Sequence, residues 1–158
     1  MTLKAGALFN SPLEAGIRAV VMLEYLRPHA ADLSDLVLFD HIVVHTSDLG
    51  GPDSLHPDVP GRKGELLVRR RLVEEGLDLM RRCHLLIQES ADEGILYRAS
   101  DEAASYVELL ESGYSVRLKD RANWVAQRIA EVSKPLFTRQ AREQLGDWSD
   151  AFSESDPL

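Results

Sequence analysis

Four side chains have the types and spacing that metal coordination requires. His41 and His45 are four residues apart, so on a helix both imidazoles would face the same side, and Asp48 and His56 follow soon after. The helical zinc-protease motif, however, has glutamate directly after its first histidine, whereas Ile42 stands there. No cysteine pair accompanies the histidines either. We therefore favour hydrogen-bonded structural histidines over a metal site, and we predict no cofactor.

Nucleophilic chemistry has a single thiol candidate, Cys83, with His84 beside it. A helical wheel places Cys83 on the apolar side of its predicted helix, which favours an unreactive core thiol over an activated nucleophile. The sequence contains neither a phosphate-binding loop ending in Gly-Lys nor a Gly-x-Ser-x-Gly nucleophile motif. We therefore predict that the protein is not an enzyme.

A basic cluster could contact nucleic acid or a partner protein. Its members are Arg62, Lys63, Arg69, Arg70 and Arg71. At the beginning of a DNA-reading helix such residues would face a groove of the duplex. The alternative is a solvated face whose charges pair internally four residues apart. The predicted pairs are Arg70–Glu74, Arg71–Glu75 and Asp78–Arg82.

Arg69 differs from the rest of the basic cluster because the helical wheel places it among apolar residues. A guanidinium there needs a partner or must leave the core. Asp40, in an otherwise apolar stretch, is the natural candidate. We predict a buried Asp40–Arg69 ion pair, with a contact from Arg69 to a partner protein as the alternative.

Three predicted helices position these residues. Ser11 caps the first, with Pro12 in its first turn and Glu14 three residues after the cap, and Pro28 ends it. The second begins near Asp32 or Ser34 and ends near His45. We prefer helix to strand here because Ser34 can cap it and its apolar positions lie all round, as in a buried helix. The third spans about Glu65–His84.

The segment Thr46–Gly64 is predicted to be a long ordered loop. Its prolines restrict the backbone and lower the entropy cost of ordering. Leu55 and Val59 offer apolar anchors, and His56 offers a hydrogen-bond donor. A loop of this length in a compact domain is often functional. We predict a partner-contacting loop, with packing on the domain's own core as the alternative.

A hairpin and further helices follow the third helix. Predicted strands at Leu85–Glu89 and Ile95–Ala99 flank a turn, and helices follow from Ser100 or Asp101 to Glu111, from Tyr114 to Ser133 and near Thr138–Leu145. Three helices and then a hairpin predict a mainly α fold, a winged helix-turn-helix with a C-terminal helical extension. Residues 1–145 form this domain, and residues 146–158 an acidic, frayed tail.

The long helix near the C-terminus carries apolar residues at alternating steps of four and three, a heptad-like spacing. They are Leu118, Ala122, Val125, Ile129 and Val132, and we call them the 118–132 seam. Trp124 stands at an adjacent angle. The seam would pack in the core or, if it faced outward, would form a homodimer or bind a coiled-coil partner.

Composition restricts the partners. The net charge is −8, with 26 acidic and 18 basic residues, which opposes free-standing nonspecific binding to DNA. One cysteine and no secretory pattern indicate a reducing cytoplasm, and every apolar run is too short to span a membrane.

Several segments together resemble a known protein family, the middle components of bacterial ABC-three-component systems. The resemblance covers about residues 7–130. It rests on Ser11–Ala19, Asp40 with Val44-His45, Gly50-Gly51-Pro52, Ser54–Pro57, Gly64–Arg70 and Arg121–Trp124.

The resemblance implies a small non-catalytic subunit, encoded between an SMC-like ABC ATPase and a third protein. Such systems are regarded as anti-phage modules related to the Lamassu type. The subunit would bridge or regulate the ATPase, and any contact with DNA would occur only within the complex. The competing hypothesis is a winged-helix transcription regulator, which would act alone as a symmetric dimer. For contact with a partner we single out Leu55, His56, Arg62, Lys63, Arg69, Arg70 and Trp124.

Overall fold

The protein is mainly α-helical with one small antiparallel hairpin, as predicted. The computed structural model describes residues 11–57 and 62–145, and of residues 62–67 the helical backbone alone. The predicted frayed tail, residues 146–158, lies outside this range. In chain order the elements are α1 Pro12–Tyr25, α2 Leu33–Val44, a 3-10 helix Thr46–Leu49, α3 Arg62–Arg82, β1 Leu86–Ala91, β2 Gly94–Ala99, α4 Ala103–Glu108, α5 Gly113–Val132 and α6 Lys134–Leu145.

The N-terminal caps of the first two helices come from short polar side chains. The Ser11 hydroxyl accepts a hydrogen bond from the Glu14 amide at 3.1 Å, which confirms the predicted cap of α1. α2 is a helix, as we preferred, but its cap is Asp32, whose carboxylate accepts from the Asp35 amide at 2.8 Å. Ser34 lies inside the first turn, so our preference for it as the cap was wrong.

Helix α2 is buried on every side. All nine of its residues from Leu36 to Val44 are buried, including Asp40 and His41. It packs against α1, α3, α5 and β2. Because no face meets water, each polar side chain on α2 needs a partner from a neighbouring element. This requirement determines the candidate site described below.

Helices α1 and α3 cross at two glycines. A Cβ on Gly76 would lie 2.6 Å from the Gly16 nitrogen and 2.7 Å from the Pro12 oxygen. A Cβ on Gly16 would lie 2.8 Å from the Gly76 oxygen. The two backbones therefore approach so closely that no side chain fits between them, and this contact fixes the position of α3 on α1.

Gly76→Ala is expected to destabilise the domain by about 1–3 kcal/mol, because the added methyl group forces two backbones apart. This cost outweighs the gain of up to about 1 kcal/mol in helix propensity. Chemical denaturation measures the change in the free energy of unfolding. The matched control is Gly113→Ala, since a Cβ at Gly113 meets no atom within 4 Å. Equal stability of the two variants would contradict the close crossing.

The hairpin closes over one end of the helical core. β1 and β2 pair antiparallel from Leu86 opposite Ala99 to Ala91 opposite Gly94, and Gly94 has the positive φ of 116°. The chain therefore reverses through a four-residue turn over residues 91–94, with Asp92 and Glu93 at its centre, as the sequence predicted. A further bridge joins Ala31, between α1 and α2, to Tyr97 of β2. Both backbone hydrogen bonds of this bridge form, at 2.9 and 2.8 Å.

Several predicted boundaries change, including those of β1 and α4, which are Leu86–Ala91 and Ala103–Glu108 in the structure. α3 begins at Arg62 instead of Glu65 and ends at Arg82 instead of His84. α6 begins at Lys134, not near Thr138. The reason is that Pro135 occupies the first turn of α6, where a missing amide hydrogen costs nothing. The break between α5 and α6 falls at Ser133, whose φ is 114°.

The 118–132 seam packs inward. Leu118, Ala122, Val125 and Ile129 of α5 are buried, whereas Val132 is 38% exposed. The four buried residues of the seam therefore pack in the core, which was the first of the two predicted alternatives. No helix among the described residues has the length and apolar character needed to cross a bilayer.

Candidate functional site

A buried carboxylate joins the three N-terminal helices. Asp40 Oδ1 of α2 accepts from Arg18 Nε of α1 at 2.7 Å, and Asp40 Oδ2 accepts from Arg69 Nη1 of α3 at 2.5 Å. A second bond runs from Arg18 Nη2 to Asp40 Oδ2 at 3.3 Å. The exposed fractions are 2% for Arg18, 6% for Asp40 and 5% for Arg69. We call these three residues the Asp40 triad.

The charges of the Asp40 triad stabilise one another. Burial by itself would raise the pKa of Asp40, but Arg18 and Arg69 outweigh burial and hold this pKa below its ordinary value. Burial would likewise lower the pKa of Arg18, yet the Asp40 charge raises it above the ordinary value. Asp40 and Arg18 are therefore both charged at neutral pH, and each charge depends on its partners across the helices.

The predicted Asp40–Arg69 ion pair is confirmed, but Arg18 was missed as its third member. The sequence does contain a signal for it. Arg18 lies three residues after Ala15, three before Val21 and four before Met22, so its helical neighbours are apolar and buried. The wheel argument that identified Arg69 applies equally to Arg18.

A row of aromatic side chains continues from the Asp40 triad. The ring centroids of His41 and His45 are 4.5 Å apart, and those of His45 and His56 are 6.3 Å apart, edge to face. His56 Nε2 lies 2.8 Å from the hydroxyl of Tyr114 on α5. At the other end, His41 Nε2 lies 3.3 Å from Asp48 Oδ2. We call these five residues the histidine row.

His56 stays neutral at physiological pH. Its burial, together with the charges of Arg18 and Arg69, lowers the pKa of His56 from 6.5 to about 3. Burial also raises the pKa of Tyr114. A neutral imidazole could ligate a metal, but among the described residues no group of three or more His, Cys, Asp or Glu side chains is arranged to hold one. The histidine row serves as a hydrogen-bonded connection between α2, the following segment and α5.

The segment after α2 is ordered and packs on the domain. The amides of Leu55 and His56 both donate to the Val44 carbonyl, at 3.0 and 3.1 Å. The Thr46 hydroxyl donates to the Pro52 carbonyl at 2.8 Å. Order was predicted for this segment, although its beginning is a 3-10 helix, not irregular chain. Val59, the second predicted anchor, lies outside the described residues.

Four residues predicted to contact a partner are wholly or partly buried in the domain. His56 and Arg69 are buried, with 8% and 5% exposed, so neither side chain is available at the surface. Leu55 and Trp124 are half-buried and pack against the core. A Cβ on Gly51 would lie 2.7 Å from the Trp124 ring, so this indole covers the segment. The expectation of an exposed interface was therefore wrong for His56 and Arg69, because burial keeps both side chains from contact with a partner.

The outer face of α3 carries the exposed charges. It forms a shallow groove with the first turn of α1, which we call the α3 groove. Its lining residues are Pro12, Arg70, Arg71, Glu74, Glu75, Asp78, Leu79 and Arg82. The side chains of Arg62 and Lys63, two further predicted contacts, lie outside the described residues.

The charges of the α3 groove pair less than predicted. Asp78 contacts Arg82 at 3.2 Å, as predicted, and Arg81 at 2.8 Å. Within the described part of the chain, however, no ion pair joins Arg70 to Glu74 or Arg71 to Glu75, so these two predictions were wrong. Exposed pairs gain little from contact, because water already solvates both charges.

Cys83 is exposed, contrary to the predicted core thiol. The helical wheel was extended one residue too far, since α3 ends at Arg82 and His84 turns the chain with φ of 62°. Val68, an apolar residue in the first half of α3, is also exposed, at 59%. The buried side of α3 is instead formed by Arg69, Val73, Gly76, Leu77 and Met80.

The comparisons with known proteins give one match. A family model described as ABC-three component (ABC-3C) system Middle Component 2 matches residues 8–151. No curated protein and no solved structure gives a significant match.

Proposed function

The chain belongs to the Middle Component 2 family of ABC-three component systems, and from this premise we propose that it is a non-catalytic subunit that binds an SMC-like ABC ATPase. The family match over residues 8–151 is the observation that carries the proposal. The chemistry agrees with it. The buried ionisable side chains of the described residues contact one another across helices, as structural groups do.

The proposed fold is a winged helix with a C-terminal helical extension. Three helices followed by a hairpin support it, and so does the bridge between Ala31 and Tyr97. In a winged helix, the short strand between the first two helices pairs with the last strand of the wing, and Ala31 stands in that place. Such modules present the third helix and the wing to their partners.

In this proposal the subunit bridges or regulates the ATPase together with a third protein encoded beside it, as part of an anti-phage defence system in the cytoplasm. Of the residues singled out from the sequence, Arg62, Lys63 and Arg70 remain in the proposed interface, because all three belong to α3. Leu55, His56, Arg69 and Trp124 contribute by holding α2, α3 and α5 in place.

The chain is expected to co-purify with the SMC-like ATPase when the three neighbouring genes are expressed together. Size-exclusion chromatography with light scattering measures the mass of the complex. The 17.7 kDa chain should elute with the large subunit and not alone. If it runs as a free protein in the presence of both neighbours, the accessory-subunit proposal fails.

The second candidate is a DNA-binding regulator, and the observation in its favour is the pair of arginines on α3, the half-buried Arg70 and the exposed Arg71. The hairpin argues against it, because Glu89, Asp92 and Glu93 are exposed around the turn of the wing. In a DNA complex these carboxylates would face phosphates, and the net charge of −8 repels the duplex as well.

The isolated chain is therefore expected to bind duplex DNA no more tightly than the nonspecific range, with Kd of roughly 10⁻⁴–10⁻⁶ M at physiological salt. Fluorescence anisotropy with labelled duplexes measures the affinity. Arg70→Ala serves as the comparison, since it should change this weak binding only slightly. Tight, sequence-selective binding that Arg70→Ala abolishes would favour the regulator.

A further inference from the structure

The α3 groove has the features of a docking surface for one class of partner. Pro12 of α1 and Leu79 of α3 form its apolar lining, and charged side chains of α3 form the rest of the lining. Val68 lies one helical turn before Arg71 and is 59% exposed, and Leu13, beside Pro12, is 50% exposed. Apolar residues flanked by charged side chains are typical of surfaces that bind an amphipathic helix.

The charges change sign along the α3 groove. Arg70 and Arg71 are positive, Glu74, Glu75 and Asp78 are negative, and Arg82 is positive again. The centres of successive blocks are about five to six residues apart, roughly 8–9 Å along the helix axis. A helix laid along this groove would match it with an acidic, then a basic, then an acidic block. Such spacing of charges sets partner choice in coiled coils.

The charge order disfavours two other occupants. A second copy related by a two-fold axis through the middle of the face would place Glu75 against Asp78 and Arg71 against Arg82. Both contacts are repulsive. A DNA backbone is negative throughout, so the acidic block between the two basic ones would repel it.

We propose that the α3 groove binds a helix of the partner protein. The face of that helix that contacts the groove carries an acidic, then a basic, then an acidic block of residues. The proposal deepens the accessory-subunit function and rests on it. A long coiled-coil segment such as an SMC-like ATPase carries is a source of such a helix. The groove contacts the helix through Leu79 and Val68 and fixes its register through Arg70, Arg71 and the three carboxylates.

Charge reversal tests the proposal. Arg70→Glu with Arg71→Glu is expected to weaken binding of the co-expressed ATPase by about tenfold or more, because like charges then face each other. The thermal midpoint should stay close to wild type, since neither side chain supports the core. The matched control is Arg117→Glu with Arg139→Glu, two exposed residues on α5 and α6, with the same change in net charge. Biolayer interferometry on the purified proteins measures both variants.

Cross-linking identifies the occupant. A photoreactive phenylalanine analogue in place of Glu75 should cross-link to a helix of the ATPase. Changing the acidic residues of that helix that face Arg70 and Arg71 to lysine should restore binding to the Arg70→Glu, Arg71→Glu variant. Cross-links between two copies of this chain would overturn the proposal, and so would unchanged binding of the variant. If the wild-type chain binds no neighbour at all, the accessory-subunit function itself fails. If the wild-type chain binds the ATPase and the Arg70→Glu, Arg71→Glu variant binds it as well as the control variant does, the accessory-subunit function stands. The docking surface then lies elsewhere on the chain.

Discussion

Asp40→Ala is expected to lower the free energy of unfolding by about 3–5 kcal/mol, the usual cost of removing one partner from a buried ion pair. The reason is the arrangement of the Asp40 triad. Arg18 and Arg69 are each at most 5% exposed, and the variant would leave both guanidinium charges in the interior without this carboxylate. Urea denaturation followed by far-UV circular dichroism measures the loss.

Two further variants make this test specific. Asp78→Ala also removes a carboxylate from a helix, but Asp78 is exposed and water already solvates it, so loss of its pairs with Arg81 and Arg82 should change stability little. Replacing the whole triad with Arg18→Met, Asp40→Leu and Arg69→Met should recover much of the lost stability, since buried ion pairs exchange well for apolar groups. Equal losses for Asp40→Ala and Asp78→Ala would mean that Asp40 is solvated.

The sequence predicted the helices and one of the two ion pairs of the Asp40 triad, Asp40–Arg69, because these depend on local chemistry. Ser11 and Pro12 determine where α1 begins, and the apolar surroundings of Arg69 implied a buried partner. Arg18 was overlooked although the same wheel argument covers it. Identifying Asp40 as the shared partner of both requires only that α1 and α3 pack on α2.

Which face of α3 and of α5 points to the core could not be derived from the local sequence pattern. It depends on how each helix is rotated when it packs against its neighbours. Gly76, not Val68, faces α1, since the backbones of α1 and α3 meet at their two glycines. That choice rotates α3, exposes Val68 and leaves Arg71 in the α3 groove. The 118–132 seam likewise has the spacing of both a core helix and a coiled coil, and only the packing of α5 on α1 and α2 decides between them.

The segment after α2 shows the same limit on a smaller scale. Its prolines and its two apolar residues predicted an ordered segment. They did not determine whether the segment packs on the domain's own core or faces a partner. In the folded protein the Val44 carbonyl accepts from both Leu55 and His56, which turns these residues toward α5. Tyr114, 58 residues further along the chain from His56, completes the contact. A pairing at such a separation leaves no trace in the local sequence.

Acidification is expected to destabilise the domain at a higher pH than the one at which its carboxylates are protonated, because His56 is buried as a neutral imidazole. The unfolded chain protonates this imidazole near pH 6.5, whereas burial and the charges of Arg18 and Arg69 lower the pKa in the folded protein to about 3. The stabilising contribution is therefore fully present above pH 6.5 and is lost as the pH falls toward 3. The slope is about 1.4 kcal/mol per pH unit, so unfolding at pH 5 should cost about 2 kcal/mol less than at pH 7.

His56→Gln separates this effect from general acid denaturation. Glutamine keeps a neutral hydrogen-bonding group near the Tyr114 hydroxyl but cannot be protonated, so the variant should lose much less stability between pH 6.5 and pH 5. The lowered pKa of Asp40 acts in the same direction only at lower pH, since that carboxylate stays ionised in this window. His29→Gln, at an exposed position, should follow the wild-type curve. If His56→Gln instead loses stability as steeply as wild type, the proton is taken up elsewhere, and His41 and His45 of the same row are the next residues to replace.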